Sequence, residues 1–234
     1  MQMPILFEDR DLVAVSKPAG VVVIPARNED ASSSLRHSLE AARGETLWVV
    51  HRIDRDTSGV VLFARNADAH RSLSVAFERR EVEKTYTALT RGALDPAEGA
   101  INYALHTARK GKMRPAHKGE ADSLEALTHY RVERVWKTSA GEVSLVTVRP
   151  KTGRQHQIRV HLRAREAPLL VDPLYGRAER VTARELGLDD DATVERLTLH
   201  AASLEMKHPT TGARLRIEAP LADDLAALVT ALSR

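Results

Sequence analysis

Hydrophobic positions in this chain of 234 residues gather in short runs, and most of those runs have the spacing of strands. Residues 5–7 and 12–16 read as two strands joined by the turn Glu8-Asp9-Arg10. Lys17-Pro18-Ala19-Gly20 breaks the pattern, residues 21–24 resume it, and residues 25–34 form a polar loop. Ser34 is placed to cap a helix through Arg43, with Leu35, Leu39 and Ala42 at helical spacing and Gly44 as the stop. Residues 47–50 and the unbroken apolar run 60–64 read as strands, the second one buried. Asn66 caps a second helix that reaches about Arg79 and buries Leu73, Ala76 and Phe77.

The strand pattern continues through residues 83–89 and 100–105, and again in a pair, 123–135 and 143–148, around Ser139-Ala140-Gly141. Between them, residues 107–119 carry two glycines, a proline and no apolar period, which predicts a long exposed loop. Thr152-Gly153 opens a helix from about Gln155 to Ala164, with His156, Arg159 and Arg163 on one face and Ile158 and Leu162 on another. Residues 169–171 read as a short strand, Asp172-Pro173-Leu174-Tyr175-Gly176 as a turn, and 180–188 as a short helix. Strands over 197–206 and 214–217 precede a last amphipathic helix over 220–232. Helices and strands mix without regular β-α alternation, which predicts an α+β fold.

Composition narrows the class. Hydrophobic residues make up 43% and charged residues 29%, an ordinary globular balance. No apolar run reaches the roughly 20 residues of a membrane helix, and the first residues lack a signal-peptide pattern. Cysteine is absent, which excludes disulfides, thiolate metal sites and a thiol nucleophile. A cytoplasmic protein that does not associate with membranes is expected. Net charge is only +3, yet residues 109–118 and 149–165 are strongly basic, and the clearest acidic cluster, Asp189-Asp190-Asp191, lies elsewhere. Such patches read either as a polyanion footprint or as solvated Arg-rich surface.

Chemistry concentrates in His51-Arg52-Ile53-Asp54-Arg55-Asp56, followed by Thr57-Ser58-Gly59. Thr-Ser-Gly reads as a tight turn with Gly59 at positive φ. Asp54 then sits in a loop between two strands, where scaffolds commonly hold a reactive group. The plain alternative is a turn whose Asp and Ser only satisfy backbone donors. Four histidines, His51, His156, His161 and His200, lack metal-binding spacing, and no metal site is expected.

Six segments together resemble a known family. Lys17-Pro18-Ala19-Gly20, His51-Arg52-Ile53-Asp54 with Thr57-Ser58-Gly59, Lys84-Thr85-Tyr86, Gly153 through His161, Asp172-Pro173-Leu174-Tyr175-Gly176 and Leu199-His200-Ala201 occur in the order of the RluA-type RNA pseudouridine synthases. The resemblance covers about residues 5–220. It implies one catalytic domain over residues 1–234, without the small N-terminal RNA-binding domain of many members. That domain has a mixed, mostly antiparallel sheet running through two halves, flanking helices and Asp54 in a central cleft. It implies isomerisation of uridine to pseudouridine in structured RNA, tRNA or ribosomal RNA, without metal or nucleotide cofactor; a monomer is the default expectation.

By position, Asp54 resembles the catalytic carboxylate, which either attacks C1′ or assists a glycal-type intermediate. Arg159 resembles its basic partner and Tyr86 the aromatic residue that stacks on the target base. Arg52 resembles the residue that fills the space left by the flipped uridine, and Ile158 the apolar residue under the base. Lys110, Lys112, Arg114, Lys151 and Arg163 are then expected to grip phosphates. Ala167-Pro168 replaces the family's usual Gly-His before the Asp172 turn, and Ile53 replaces the usual Leu. Two rivals remain at this point. One is a catalytically silent RNA-binding protein, against which the intact set Asp54, Tyr86 and Arg159 argues. The other is a glycoside or nucleoside hydrolase, for which Asp56 would be the nearby second carboxylate.

Overall fold

The computed structural model describes residues 3–25, 30–176 and 178–234. Strands β1 (Ile5–Glu8) and β2 (Leu12–Lys17) are followed by α1 (Leu35–Arg43), the two-residue β3 (Trp48–Val49), β4 (Ser58–Ala64) and α2 (Ala67–Glu78). Next come β5 (Glu83–Arg91), β6 (Glu98–Ile101), β7 (Leu105–Thr107), β8 (Met113–Pro115), β9 (Thr128–Thr138), β10 (Gly141–Pro150) and α3 (Gln157–Ala164). The order ends with β11 (Val181–Thr182), β12 (Thr193–Val194), β13 (Leu199–Lys207), β14 (Arg214–Glu218) and α4 (Asp223–Leu232). This is the expected α+β class. The chain divides into two compact units, the first Met1–Lys84 with Ala201–Pro220 and the second Thr85–His200 with Leu221–Arg234.

In the first unit, β4 pairs antiparallel with β2 and with β3, β1 pairs with β2, and β13 pairs with β14. Every residue of β4 is buried, as its unbroken apolar run predicts. Leu12, Ala14, Val60 and Leu62 meet Ala69 and Leu73 of α2 and Leu204, Met206 and Ile217 of β13 and β14. Leu73 is buried as expected, while Ala76 and Phe77 pack only partly against this core. Both caps hold: the Ser34 side chain accepts from the His37 N–H and the Asn66 side chain from the Ala69 N–H. Gly44 closes α1 in the left-handed region at φ 67°.

In the second unit, antiparallel pairs join β5 to β10, β10 to β9 and β9 to β6. Ile158 and Leu162 of α3 pack with Ala88, Val146 and Val148 of this sheet, and Tyr86 packs against the same cluster. A second cluster joins Leu225 and Leu228 of α4 to Trp136, Val143 and Leu170.

Several expectations need correction. Residues 21–24 are not a strand: the Val22 and Val23 carbonyls accept from the Leu35 and Arg36 N–H groups, two first-turn donors of α1 that no helical carbonyl can reach. The turn before β4 falls at Arg55-Asp56, and Ser58 and Gly59 already belong to the strand. Residues 107–119 are not an open loop. β7 and β8 pair with Leu105 opposite Pro115 and Thr107 opposite Met113, around a 3-10 turn at Arg109–Gly111. The buried side chains Leu105 and Met113 seat this hairpin against Val160 and Tyr175. Residues 169–171 make one isolated bridge, Leu169 to Thr90. Residues 180–188 hold β11 and a 3-10 turn that begins with a reciprocal pair of bonds between Thr182 and Glu185.

Candidate active site

The loop 51–57 leaves β3 and enters β4. Its backbone is tied at several points. The Lys17 side chain is fully buried, and its Nζ donates to the carbonyls of Pro18 at 2.9 Å, Val21 at 2.7 Å and Arg55 at 2.8 Å. Three acceptors offset the desolvation of the ammonium and fold the Lys17-Pro18-Ala19-Gly20 segment around it. The Gly20 N–H also donates to the Arg55 carbonyl, and the Thr57 N–H donates to the Asp54 carbonyl. Asp54 therefore stands on a backbone fixed on both sides, with its side chain half-buried.

His51 holds the start of the loop. Its Nε2 accepts from the Leu62 N–H at 2.9 Å, just past the last β3 pairing, and its ring stacks on Phe77 with centroids 5.0 Å apart. Accepting at Nε2 requires the neutral ring. Desolvation, and after it the charge of Lys84, push the His51 pKa down from 6.5 to about 3. Lys84 itself is lowered by burial and by Arg80.

Gly59 is required by close approach. Its φ is 114°, and a Cβ there would stand 2.1 Å from the Ala201 carbonyl oxygen. Gly59 and Ala201 thus meet backbone to backbone within the first unit.

In the second unit, Tyr86 lies on β5 opposite Val148 and is half-buried beside Ile158, which is 5% exposed. Arg159 is buried. Its Nε donates to Asp172 Oδ2 at 2.9 Å and its Nη2 to Asp172 Oδ1 at 2.6 Å, and the guanidinium lies 5.0 Å from the Tyr175 ring centroid. Asp172 is itself oriented by the Leu174 and Tyr175 N–H groups, both donating to Oδ1 at 2.9 Å. Tyr175 Oη accepts from the Met113 N–H and lies 2.8 Å from His156 Nδ1. The Asp172-Pro173-Leu174-Tyr175-Gly176 turn is thus the mount for Arg159.

His156 stands outside α3, at φ 53°, so the expected face shared by His156, Arg159 and Arg163 does not form. Arg159 points inward and Arg163 outward.

The expected phosphate-gripping residues divide into two groups. Lys151 and Arg163 are exposed, as is Arg52, the residue expected to fill the space left by the flipped uridine. Lys112 is half-buried with Nζ donating to the Leu174 carbonyl at 2.9 Å, and Arg114 pairs with both oxygens of Glu120. Those two therefore tie the hairpin to the segments around it. The Lys110 side chain lies outside the described residues.

Among the described residues one group has metal-ligand character, Asp9, Asp11 and His208 in the first unit. It is internally satisfied. His208 Nε2 lies 2.7 Å from Asp9 Oδ2, and Asp11 accepts from the Thr210 hydroxyl and the Asn66 amide.

The sequence profile of the family described as RNA pseudouridylate synthase matches residues 11–164. A relative named ribosomal large subunit pseudouridine synthase D, from Nitrosomonas europaea, is 34% identical over 98% of this chain, which spans 65% of that relative's length. A protein named tRNA pseudouridine synthase C, from Yersinia pestis, is 33% identical over 93% of this chain and 86% of its own. Among solved structures, human RNA pseudouridylate synthase domain containing 4 superposes with a TM-score of 0.75 at 26% identity, over 98% of this chain and 93% of that one.

Proposed function

The chain belongs to the RNA pseudouridylate synthase family, in its RluA-type branch, and on that premise we propose that it isomerises uridine to pseudouridine in structured RNA, tRNA or ribosomal RNA. The N1–C1′ bond of uridine breaks, the base turns, C5 bonds to C1′, the C5 proton leaves and N1 takes up a proton. Asp54 is the carboxylate that works at C1′, by direct attack or by assisting a glycal-type intermediate. Arg159, held by Asp172, is the basic residue of the site, and Tyr86 with Ile158 forms the apolar seat of the base. Arg52 fills the space that the flipped uridine leaves. Lys151 and Arg163 contact phosphates.

The observation that carries this reading is the doubly tied loop under Asp54. A carboxylate on a backbone fixed by a buried lysine and a neutral imidazole is preorganised for attack at one atom. Residues 1–234 act as one catalytic domain, as a monomer in the cytoplasm and without metal or nucleotide cofactor. None of the helices described is long and apolar enough to cross a membrane.

The experiment is direct. RNA from cells lacking the protein is incubated with the purified chain and its pseudouridines are mapped. The proposal expects one or a few new sites in tRNA or ribosomal RNA. A map unchanged by folded, RNA-binding protein contradicts it.

A further inference from the structure

Tyr103 lies in the link between β6 and β7, and its ring is 42% exposed. What lies beneath it is built with care. His161 on α3 is fully buried, and its Nε2 faces the Tyr103 carbonyl oxygen at 2.9 Å. A carbonyl only accepts, so Nε2 carries the hydrogen and Nδ1 accepts from the Thr128 hydroxyl at 2.8 Å. Thr128 Oγ1 in turn accepts from Gln157 Nε2, whose other hydrogen goes to the Leu127 carbonyl. Gln157 Oε1 accepts from the Thr152 hydroxyl and the Arg154 N–H. Every donor in this buried chain has one acceptor, so the network admits a single arrangement. Its outer end fixes the Tyr103 backbone, and the His161 ring meets the Tyr103 ring edge-on at 89° with centroids 6.3 Å apart.

Basic residues follow closely in the connected segments. The Ala104 carbonyl receives the Ala116 N–H, so the hairpin with exposed Arg109 starts immediately after Tyr103. The Lys151 N–H donates to the Leu127 carbonyl and Arg154 Nε to the Glu125 carbonyl, which ties two more cations to the segment leading into Thr128. A ring held by a rigid network and exposed on one side, in a segment joined to others that carry Arg109, Lys151 and Arg154, fits a flat partner on an anionic chain.

We propose that Tyr103 is a stacking platform for an unpaired base of the RNA substrate, positioned by His161. The inference rests on the RNA-modifying reading above and adds a base contact outside the residues assigned there. Stacking on a ring already held in place loses little side-chain entropy, so the contact adds affinity for looped RNA and none for paired RNA.

The test measures binding of the full chain to two fluorescent RNAs, a stem-loop with a uridine-containing loop and the same stem closed as a blunt duplex. Tyr103→Ala is expected to raise Kd for the stem-loop by about 5- to 150-fold, the range for one stacked base. Tyr103→Phe keeps the ring and is expected to bind like wild type. Duplex affinity and the salt slope should stay put in both variants, since no charge changes. Unchanged stem-loop affinity in Tyr103→Ala overturns the platform alone, as does an equal loss for both RNAs. Wild-type protein that binds neither RNA overturns the platform together with the reading it rests on.

Discussion

At the residue scale, the site depends on groups held where their chemistry demands it. Asp172 illustrates this. It binds one whole edge of the Arg159 guanidinium from a turn whose own N–H groups fix it. Asp172→Asn keeps the shape and removes the negative charge that pairs with the buried Arg159 guanidinium from this turn. We expect stability to fall by about 3–5 kcal/mol. Turnover should fall with it while RNA affinity holds, read by thermal melting and by single-turnover assay beside binding. A variant as stable and active as wild type would remove Asp172 from the account. Gly59→Ala is the backbone counterpart. The added methyl meets the Ala201 carbonyl at a φ that L residues rarely adopt, and a loss of roughly 2–4 kcal/mol is expected in denaturant melts.

At the scale of elements, the hairpin of β7 and β8 changes which cations should carry RNA affinity. Arg114 already faces Glu120, and Lys112 is engaged by the Leu174 carbonyl. Lys151→Ala and Arg163→Ala should each flatten the plot of log affinity against log salt by about 0.7–0.9. Arg114→Ala should move that slope little and lower the melting temperature instead. Equal slopes for all three variants would contradict the division.

The elements also show what a sequence can carry. The caps of α1 and α2 and the buried β4 were legible because each depends on residues within a few positions. The hairpin was not: it is seated by Tyr175, 62 positions from the Met113 N–H that it accepts. Asp54, Tyr86 and Arg159 stood out through short motifs. The supports of the loop and of Arg159, namely Lys17 and Asp172, lay within quoted segments, but their roles needed the geometry. Lys17 reaches Arg55 across 38 positions. His156 misled because helical spacing cannot foresee a left-handed residue at the helix start.

At the scale of the molecule, two neutral buried imidazoles make stability depend on pH. His51 and His161 are both lowered by burial, His51 to about 3. In the unfolded chain each takes up its proton near 6.5, so below that value the unfolded state binds more protons than the folded one. The stabilisation is complete above about pH 6.5 and falls below it, for His51 until pH nears 3. Each imidazole contributes about 1.4 kcal/mol per pH unit within its window. Denaturant melts between about pH 5 and 6.5 avoid most carboxylate titration and should show this slope. His51→Gln should remove one imidazole's share of it, and an unchanged slope would mean that His51 is charged in the folded protein.

The central claim is that Asp54 performs the chemistry while the rest of the protein holds RNA and loop in place. The measurement that tests it is a pseudouridine map of RNA from cells lacking the protein that carry either wild type or Asp54→Asn, with in vitro RNA affinity measured for both. The account predicts that wild type restores the missing sites and that Asp54→Asn restores none, a loss of at least about a thousandfold in single turnover, with RNA affinity nearly unchanged. Sites restored by a folded, RNA-binding Asp54→Asn protein would contradict it.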